Sequence, residues 1–197
     1  MNIGELSDRI SILNLNQDAD TYSWETATGI WAKVERMDGN NLFSRVGLGT
    51  KSIKLTIRKN SSLTLHNAFR WQEKHLFLTD IIDIDRMYYE VSAALIEPKL
   101  CSVEREGEPK RNELNRPVYE GKKTIIFPGC LTEKYLGHSQ GEPMATIETR
   151  YVLVTPKVIE LNINELVTIG NATYTVLTPH TLDEYKNEYE IMFKGDV

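Results

Sequence analysis

The sequence predicts an all-β protein made of two small antiparallel β-barrel or sandwich domains joined by a charged linker. Three observations support this prediction. Short apolar segments alternate with polar residues at a period of two, turn-forming residues separate these segments, and the pattern of the first half returns in the second. The domains are predicted at residues 1–98 and 124–197, with a linker or arm at residues 99–123.

The clearest strand of the first half lies at residues 53–58, where apolar and polar residues alternate strictly. This alternation is typical of a strand with one buried face. Residues 9–15 and 24–37 are also predicted strands, separated by a polar turn, and residues 89–95 repeat the period of two.

An internal repeat links the two halves of the sequence. Three segments of the first half match segments of the second at a constant separation of 98 residues (151 − 53), and a fourth matches after a further shift of two. If the repeat is structural, the protein contains two similar β-barrels or sandwiches. The matched pairs are 53–57 with 151–155, 69–71 with 167–169, 75–79 with 173–177 and 89–91 with 189–191.

The segment between the halves differs in composition from both of them. Residues 98–123 are dense in charge, contain Pro109 and Pro117, and have few apolar side chains. Such a composition is typical of a linker or an extended arm, so we predict the domain boundary here.

The overall composition restricts the classes of function. The chain has 197 residues, 41% hydrophobic content and a net charge of −5, which does not suit a protein that binds nucleic acid along its whole surface. The charge is uneven: residues 38–60 carry five basic and one acidic side chain, whereas residues 157–197 carry three basic and seven acidic ones. The basic segment either faces a polyanion or forms a solvated strand face.

The sequence also indicates where the protein is made. No apolar run approaches the ~20 residues of a membrane helix. Residues 1–8 lack the basic and apolar regions of a secretory signal. We therefore expect synthesis in a cytoplasm and no membrane partner. Its two cysteines, Cys101 and Cys130, are expected to be reduced thiols.

No catalytic or metal-binding motif is evident. The four histidines lie far apart and lack metal-ligand spacing, and neither cysteine has a nucleophile signature. The acidic residues Asp80, Asp83 and Asp85 do not have the spacing of a calcium loop. The prediction is therefore no enzyme, no cofactor and no metal, although a triad assembled from distant residues stays open.

A long segment separates two predicted strands of the first half. Residues 38–52 contain Gly39, Gly47 and Gly49 but lack the spacing of a phosphate-binding loop. A connection of this length between strands is usually functional or mobile.

An ordered set of residues in the first half resembles the phage head–tail joining family, also called head-closure or stopper proteins. The set comprises Gly4, Leu6, Arg9 and Ile10 near the start, then Trp24-Glu25, then Trp31-Ala32-Lys33-Val34-Glu35. The resemblance covers about residues 1–98. Two features depart from the family: residues 73–76 lack its glycine and tyrosine, which residues 170–174 have, and members are usually single domains of about half this length.

The resemblance implies a structural connector that forms a homo-oligomeric ring in the neck of the virion. Its partners would be the portal and adaptor above, the tail terminator or tail tube below, and packaged double-stranded DNA through non-specific contact. It further implies that the long loop lines or closes the DNA channel. The implied channel residues are Asn40, Asn41, Leu42, Phe43, Arg45, Val46 and Lys51, with Lys54 and Arg58 on a possible DNA-facing strand.

Two other classes of protein remain open. One is a tail terminator or another neck protein of similar fold. The other is a β-barrel that binds a small molecule or acts as an enzyme. Oligomeric state separates these classes, because a ring fits the first class and a stable ligand-binding monomer fits the second.

Overall fold

The computed structural model describes residues 5–37, 51–107, 109–111, 117–119, 121–134 and 150–195. Within these ranges the chain forms β-strands and no α-helix, which confirms the predicted all-β fold class. The strands of the first half are β1 (Asp8–Asp18), β2 (Thr21–Met37), β3 (Lys51–Arg58), β4 (Ala68–Trp71), β5 (Lys74–Asp83) and β6 (Tyr88–Leu95). Those of the second half are β7 (Lys99–Glu106), β8 (Pro109–Arg111), β9 (Pro117–Tyr119), β10 (Lys122–Lys134), β11 (Arg150–Pro156), β12 (Leu166–Ile169), β13 (Ala172–His180) and β14 (Lys186–Phe193).

The first six strands close into an antiparallel ring. Going around it, β1 pairs with β2, β2 with β3, β3 with β6, β6 with β5, β5 with β4, and β4 again with β1. The strictly alternating strand predicted at residues 53–58 is confirmed as part of β3. Its apolar residues Ile53, Leu55 and Ile57 are buried in the core of this first ring. Closure leaves this ring without a free strand edge.

The second ring repeats this order of pairing. Here β7 pairs with β10, β10 with β11, β11 with β14, β14 with β13, β13 with β12, and β12 with β7. Its core is a separate cluster that includes Phe127, Leu153, Val176, Tyr189 and Ile191. Each strand of the first ring thus has a counterpart with the same neighbours in the second.

The match extends to the residue level. β12 and β14 begin and end 98 residues after β4 and β6 (166 − 68 and 186 − 88). In β5 the ladder to β6 is irregular between Leu78 and Asp80, and in β13 the ladder to β14 is irregular between Val176 and Thr178, again 98 residues later. Because an irregularity of this kind is specific to one position in a strand, its recurrence 98 residues later supports a structural repeat.

A turn with the same hydrogen bonds follows in both halves. The Oδ1 atom of Asp85 accepts hydrogen bonds from the backbone N–H groups two and three residues further on, at 2.6 and 2.9 Å. The Oδ1 atom of Asp183, 98 residues later (183 − 85), accepts the same two bonds at 2.7 and 3.2 Å. Aspartate is common at such turns because its carboxylate satisfies free backbone donors.

One detail of the predicted repeat is wrong. The match of residues 89–91 with 189–191 assumed a shift of two residues beyond the separation of 98. In the ladders, Leu55 pairs with Val91 and Leu153 pairs with Tyr189, so the separation stays at 98 (189 − 91). A shift of two keeps every side chain on its own face, which is why the sequence pattern alone did not reveal the error.

The segment predicted as a linker is largely part of the fold. Lys99–Glu106 forms β7, whose Cys101 and Val103 are buried in the core of the second ring. Arg105 is held by Glu165, since its Nε atom donates to Oε1 at 2.7 Å and its Nη2 atom donates to Oε2 at 2.9 Å. Glu104 and Glu106 lie on the opposite face of β7 from the core residues, so the dense charges of this segment do not mark a free linker. Beyond β7, β8 pairs with β9 in a small separate sheet.

The two rings share one sheet of twelve strands. A single parallel bridge joins Thr21 of β2 to Ile126 of β10, and the backbone N–H of Ile126 donates to Asp20 at 2.9 Å. The two-domain division with a boundary near residue 98 stays a prediction, because the rings are continuous at this bridge and in contact elsewhere.

Gly129 of β10 provides a test of how tightly the second ring is packed. A Cβ atom at this position would lie 2.8 Å from Sγ of Cys101 and 2.8 Å from Cδ1 of Leu153, both of which are buried. We expect Gly129→Ala to lower the free energy of unfolding by about 1–3 kcal/mol in chemical denaturation.

The matched control is Gly29→Ala in β2, where the new Cβ would meet only the exposed Arg9 side chain at 3.4 Å. A change within ~0.5 kcal/mol is expected for the control. Equal effects of the two substitutions would contradict the packing of β10.

Candidate functional site

Most of the predicted channel residues lie outside the described part of the chain. Lys51 is described only as the first residue of β3, paired with Leu95. The assignment of these residues to a channel therefore stays a prediction. The predicted residues outside the described ranges are Asn40, Asn41, Leu42, Phe43, Arg45 and Val46.

The two strand residues predicted to face DNA lie on the outward face of β3. Lys54 and Arg58 alternate there with the core residues of the strand. The Nζ atom of Lys54 lies 2.8 Å from Oε1 of Glu90 on β6, and on β2 the Nζ atom of Lys33 lies 2.6 Å from Oε1 of Glu35. The hydrogen bond between Lys33 and Glu35 raises the pKa of the lysine and lowers that of the carboxyl. This face thus carries both signs of charge. Contact of Lys54 and Arg58 with DNA stays a prediction.

The second ring covers one end of the outward face of β5 and β6. His75 and Phe77 of β5 and Ala94 of β6 point away from the core of the first ring, yet their exposed fractions are 5%, 7% and 0%. Phe77 and Ala94 form an apolar cluster with residues of β10 and β11 in the second ring. We call this cluster the junction; its members are Phe77, Ala94, Cys130, Val152 and Val154, with Ile96 packed against it.

The junction joins different faces of the two rings. Phe77 pairs with Ala94, and 98 residues later Thr175 pairs with Met192, so Thr175 and Met192 hold the corresponding places in the second ring. The first ring therefore contributes the outer face of β5 and β6 to the junction. The corresponding surface of the second ring is the outer face of β13 and β14.

The other side of the junction corresponds to the outer face of β2 and β3. Cys130 pairs with Val154 in the second ring, and Lys33 pairs with Thr56 in the first. Val154 and Thr56 lie 98 residues apart (154 − 56), so Lys33 holds the place of Cys130, and likewise Lys54 that of Val152. A contact between non-corresponding faces is heterologous, or head to tail.

A cleft of about 400 Å³ opens beside the junction. Trp24 packs on His75 with ring centroids 5.6 Å apart, and His66 meets the edge of Tyr185 at 5.0 Å. The cleft was not predicted, because its walls come from segments far apart in the sequence. Its lining residues are Leu15, Gln17, Tyr22, Trp24, Leu65, His66, Asn67, Phe77, Pro156, Lys157, Val158 and Tyr185.

The buried titratable groups of the described residues are kept neutral. Burial lowers the pKa of His75 to about 4, with a further contribution from the charge of Arg70, and its Nε2 atom has no hydrogen-bond partner within the described ranges. Burial also raises the pKa of the Cys101 and Cys130 thiols to about 12. Both cysteines are free, as predicted, and their environment disfavours the nucleophilic thiolate form.

The described ranges contain neither a metal-binding cluster nor a membrane-spanning helix. Among these residues no group of three or more histidine, cysteine, aspartate or glutamate side chains is placed to hold a metal ion. Over the same ranges no helix is long and apolar enough to cross a membrane.

Comparison with protein families gives no match, and comparison with curated proteins also gives none. Among solved structures, the chain is similar to the solution structure of a protein from Shigella flexneri 2a determined by a structural genomics consortium. The similarity has a TM-score of 0.38 and a sequence identity of 19%, and it covers 48% of this chain and 96% of that chain. A similarity of this size carries no argument about function.

The burial of His75 makes the stability of the protein depend on pH. Its pKa is depressed from 6.5 to about 4 in the folded state, so between these values the unfolded chain binds a proton that the folded protein does not. This contribution to stability is complete above pH 6.5 and is lost as the pH falls toward 4, by up to about 3 kcal/mol.

The measurement is chemical denaturation of the wild type and of His75→Gln across this pH window. We expect the loss of stability on acidification to be smaller in His75→Gln. The control His66→Gln, in the cleft, retains His75 and should follow the wild type. Parallel profiles for the wild type and His75→Gln would show that His75 is not kept neutral by burial.

Proposed function

We propose that this protein is a structural head–tail connector of the head-closure type in a tailed bacteriophage. In this proposal, copies of the chain form a ring in the neck of the virion, below the portal or adaptor. The ring retains the packaged DNA and presents the surface to which the tail terminator or tail tube attaches. The protein is made in the cytoplasm of the host and does not act as an enzyme.

The observation that carries the proposal is the head-to-tail contact between two matching rings of strands. A subunit of a closed oligomeric ring needs two different faces that fit one another. Here the outer face of β5 and β6 fits the outer face of β10 and β11, within one chain. The chain therefore already uses the type of contact that ring assembly requires, which supports a structural, ring-forming role.

The resemblance of residues 1–98 to head-closure proteins supports the same proposal from the sequence. Met37, the last residue of β2, pairs with Ser52 near the start of β3, so the long segment proposed to line the channel connects these two strands at one end of the first ring. A tail terminator or another neck protein would need the same ring geometry and is the nearest alternative.

A second candidate function is the binding of a small apolar or aromatic ligand in the cleft. The observation that favours it is the wall formed by Tyr22, Trp24, Phe77 and Tyr185 around a volume of about 400 Å³. Pockets of this size, with aromatic walls and a few polar groups, commonly hold small molecules.

Deletion of the gene tests the connector proposal directly. Electron microscopy of lysates from a phage that lacks this gene should show tailless heads without DNA beside free complete tails, because the head is then neither closed nor able to bind a tail. Supplying the wild-type gene in trans should restore infectious particles and serves as the control. Normal infectious particles from the deletion phage would contradict the proposal and favour ligand binding at the cleft.

A further inference from the structure

We propose that neighbouring copies of this chain bind one another through the two faces that correspond to the two sides of the junction. This inference rests on the proposed ring-forming function and names the surfaces that would form the ring. The first surface, the outer β3 face, consists of Lys33, Glu35, Lys54, Thr56 and Glu90. The second surface, the outer β14 face, consists of Arg150, Thr175, Glu188, Glu190 and Met192.

The geometry follows from the head-to-tail nature of the junction. One contact between non-corresponding faces uses one face of each ring and does not use the corresponding face of the other ring. In the proposed contact, the outer β14 face of one copy takes the role that β5 and β6 have at the junction. The outer β3 face of the next copy takes the role of β10 and β11. Repetition of such a contact generates a closed ring when the rotation between copies closes.

The chemistry of the outer β3 face differs from that of the junction. Cys130, Val152 and Val154 are buried at the junction, whereas Lys33, Lys54 and Thr56 hold their places on the outer β3 face. Two apolar faces in contact suit the two rings of one chain, because these rings never separate. Two polar faces suit separate chains that must remain soluble before they assemble. Interfaces between separable partners are accordingly more polar than permanent interfaces.

The polar faces also offer specific contacts. On the outer β3 face Lys54 is paired with Glu90, and on the outer β14 face Arg150 lies 3.9 Å from Glu190. Each face thus presents both signs of charge, and their relative placement sets the register of docking. By correspondence with Phe77 and Ala94, Thr175 and Met192 would rest on the aliphatic stems of the lysines, which can cover apolar surface while their charges stay in water.

The occupant of each face is therefore a second copy of this chain. The outer β3 face corresponds residue by residue to a surface that the same chain already covers with its own β5 and β6. No partner of other chemistry is required to explain its shape.

Copying the chemistry of the junction onto the outer β3 face tests this inference. The double variant Lys54→Val and Thr56→Val copies Val152 and Val154 onto the outer β3 face. In sedimentation velocity of the purified protein, we expect oligomers to appear at a concentration about tenfold or more below that needed by the wild type. The matched control is Lys122→Val with Thr124→Val, which alters a similar exposed pair on β10 in which Lys122 lies 3.0 Å from Glu104. This control should sediment like the wild type.

A suppressor separates specific docking from simple stickiness. Adding Thr175→Glu to the double variant places a charge on the opposite face of the same chain, where it would meet the new valines of the next copy. We expect this triple variant to return to the sedimentation behaviour of the wild type. The inference is overturned if the double variant gains no association, if the control on β10 associates equally, or if Thr175→Glu fails to suppress association.

This test and the deletion test fail independently. Normal infectious particles from the deletion phage would end the connector proposal, whatever the sedimentation shows. Thr175→Glu could fail to suppress association while the deletion phage still yields open heads. That result would leave the connector role in place and move the contact between copies to another surface.

Discussion

The apolar contact between Phe77 and Ala94 of the first ring and Cys130, Val152 and Val154 of the second is the interaction on which the arrangement of the molecule depends. Each ring has its own core, so each can bury its apolar strand faces without the other. The two separate cores do not fix the position of one ring relative to the other. The junction does so by burying outward-facing side chains that would otherwise meet water, and burial of this kind stabilises by roughly 25 cal/mol per Å² of apolar surface. The bridge between β2 and β10 also joins the two rings, and Phe77 of the junction lines the cleft beside Trp24.

Local sequence patterns were enough to predict the strands and the repeat. The alternation at Ile53, Leu55 and Ile57 predicts a half-buried strand because side chains in a strand point to opposite faces in turn. The separation of 98 residues, inferred from a few apolar positions, holds through the ladders, the irregularity after Val176 and the turn at Asp183. The alternation and the turn are local in the chain, so the sequence is enough to recognise them, whereas the separation of the last matched segment is set by the ladder between β11 and β14.

Features that depend on contacts between distant residues were not predicted. The charged residues around Arg105 suggested a linker, because nothing in the sequence shows that Glu165 lies beside this arginine and that Val103 is buried. Val152 and Val154 have the pattern of an ordinary buried strand, and only the fold shows that they point away from their own core. The junction and the cleft were not predicted, and the predicted channel residues stay a prediction. Lys54 was singled out for its charge, but its more informative property is that it holds the place of Val152 in the other ring.

The most direct test of the head-to-tail contact is a double-mutant cycle across the junction. Phe77→Ala and Val154→Ala are made singly and together, and the free energy of unfolding is measured for each by chemical denaturation. If the two rings pack through this cluster, the two losses should be non-additive by about 1 kcal/mol or more, since side chains that share a buried contact are energetically coupled. Losses that add to within ~0.5 kcal/mol would show that the two side chains are independent and would contradict the contact between the rings.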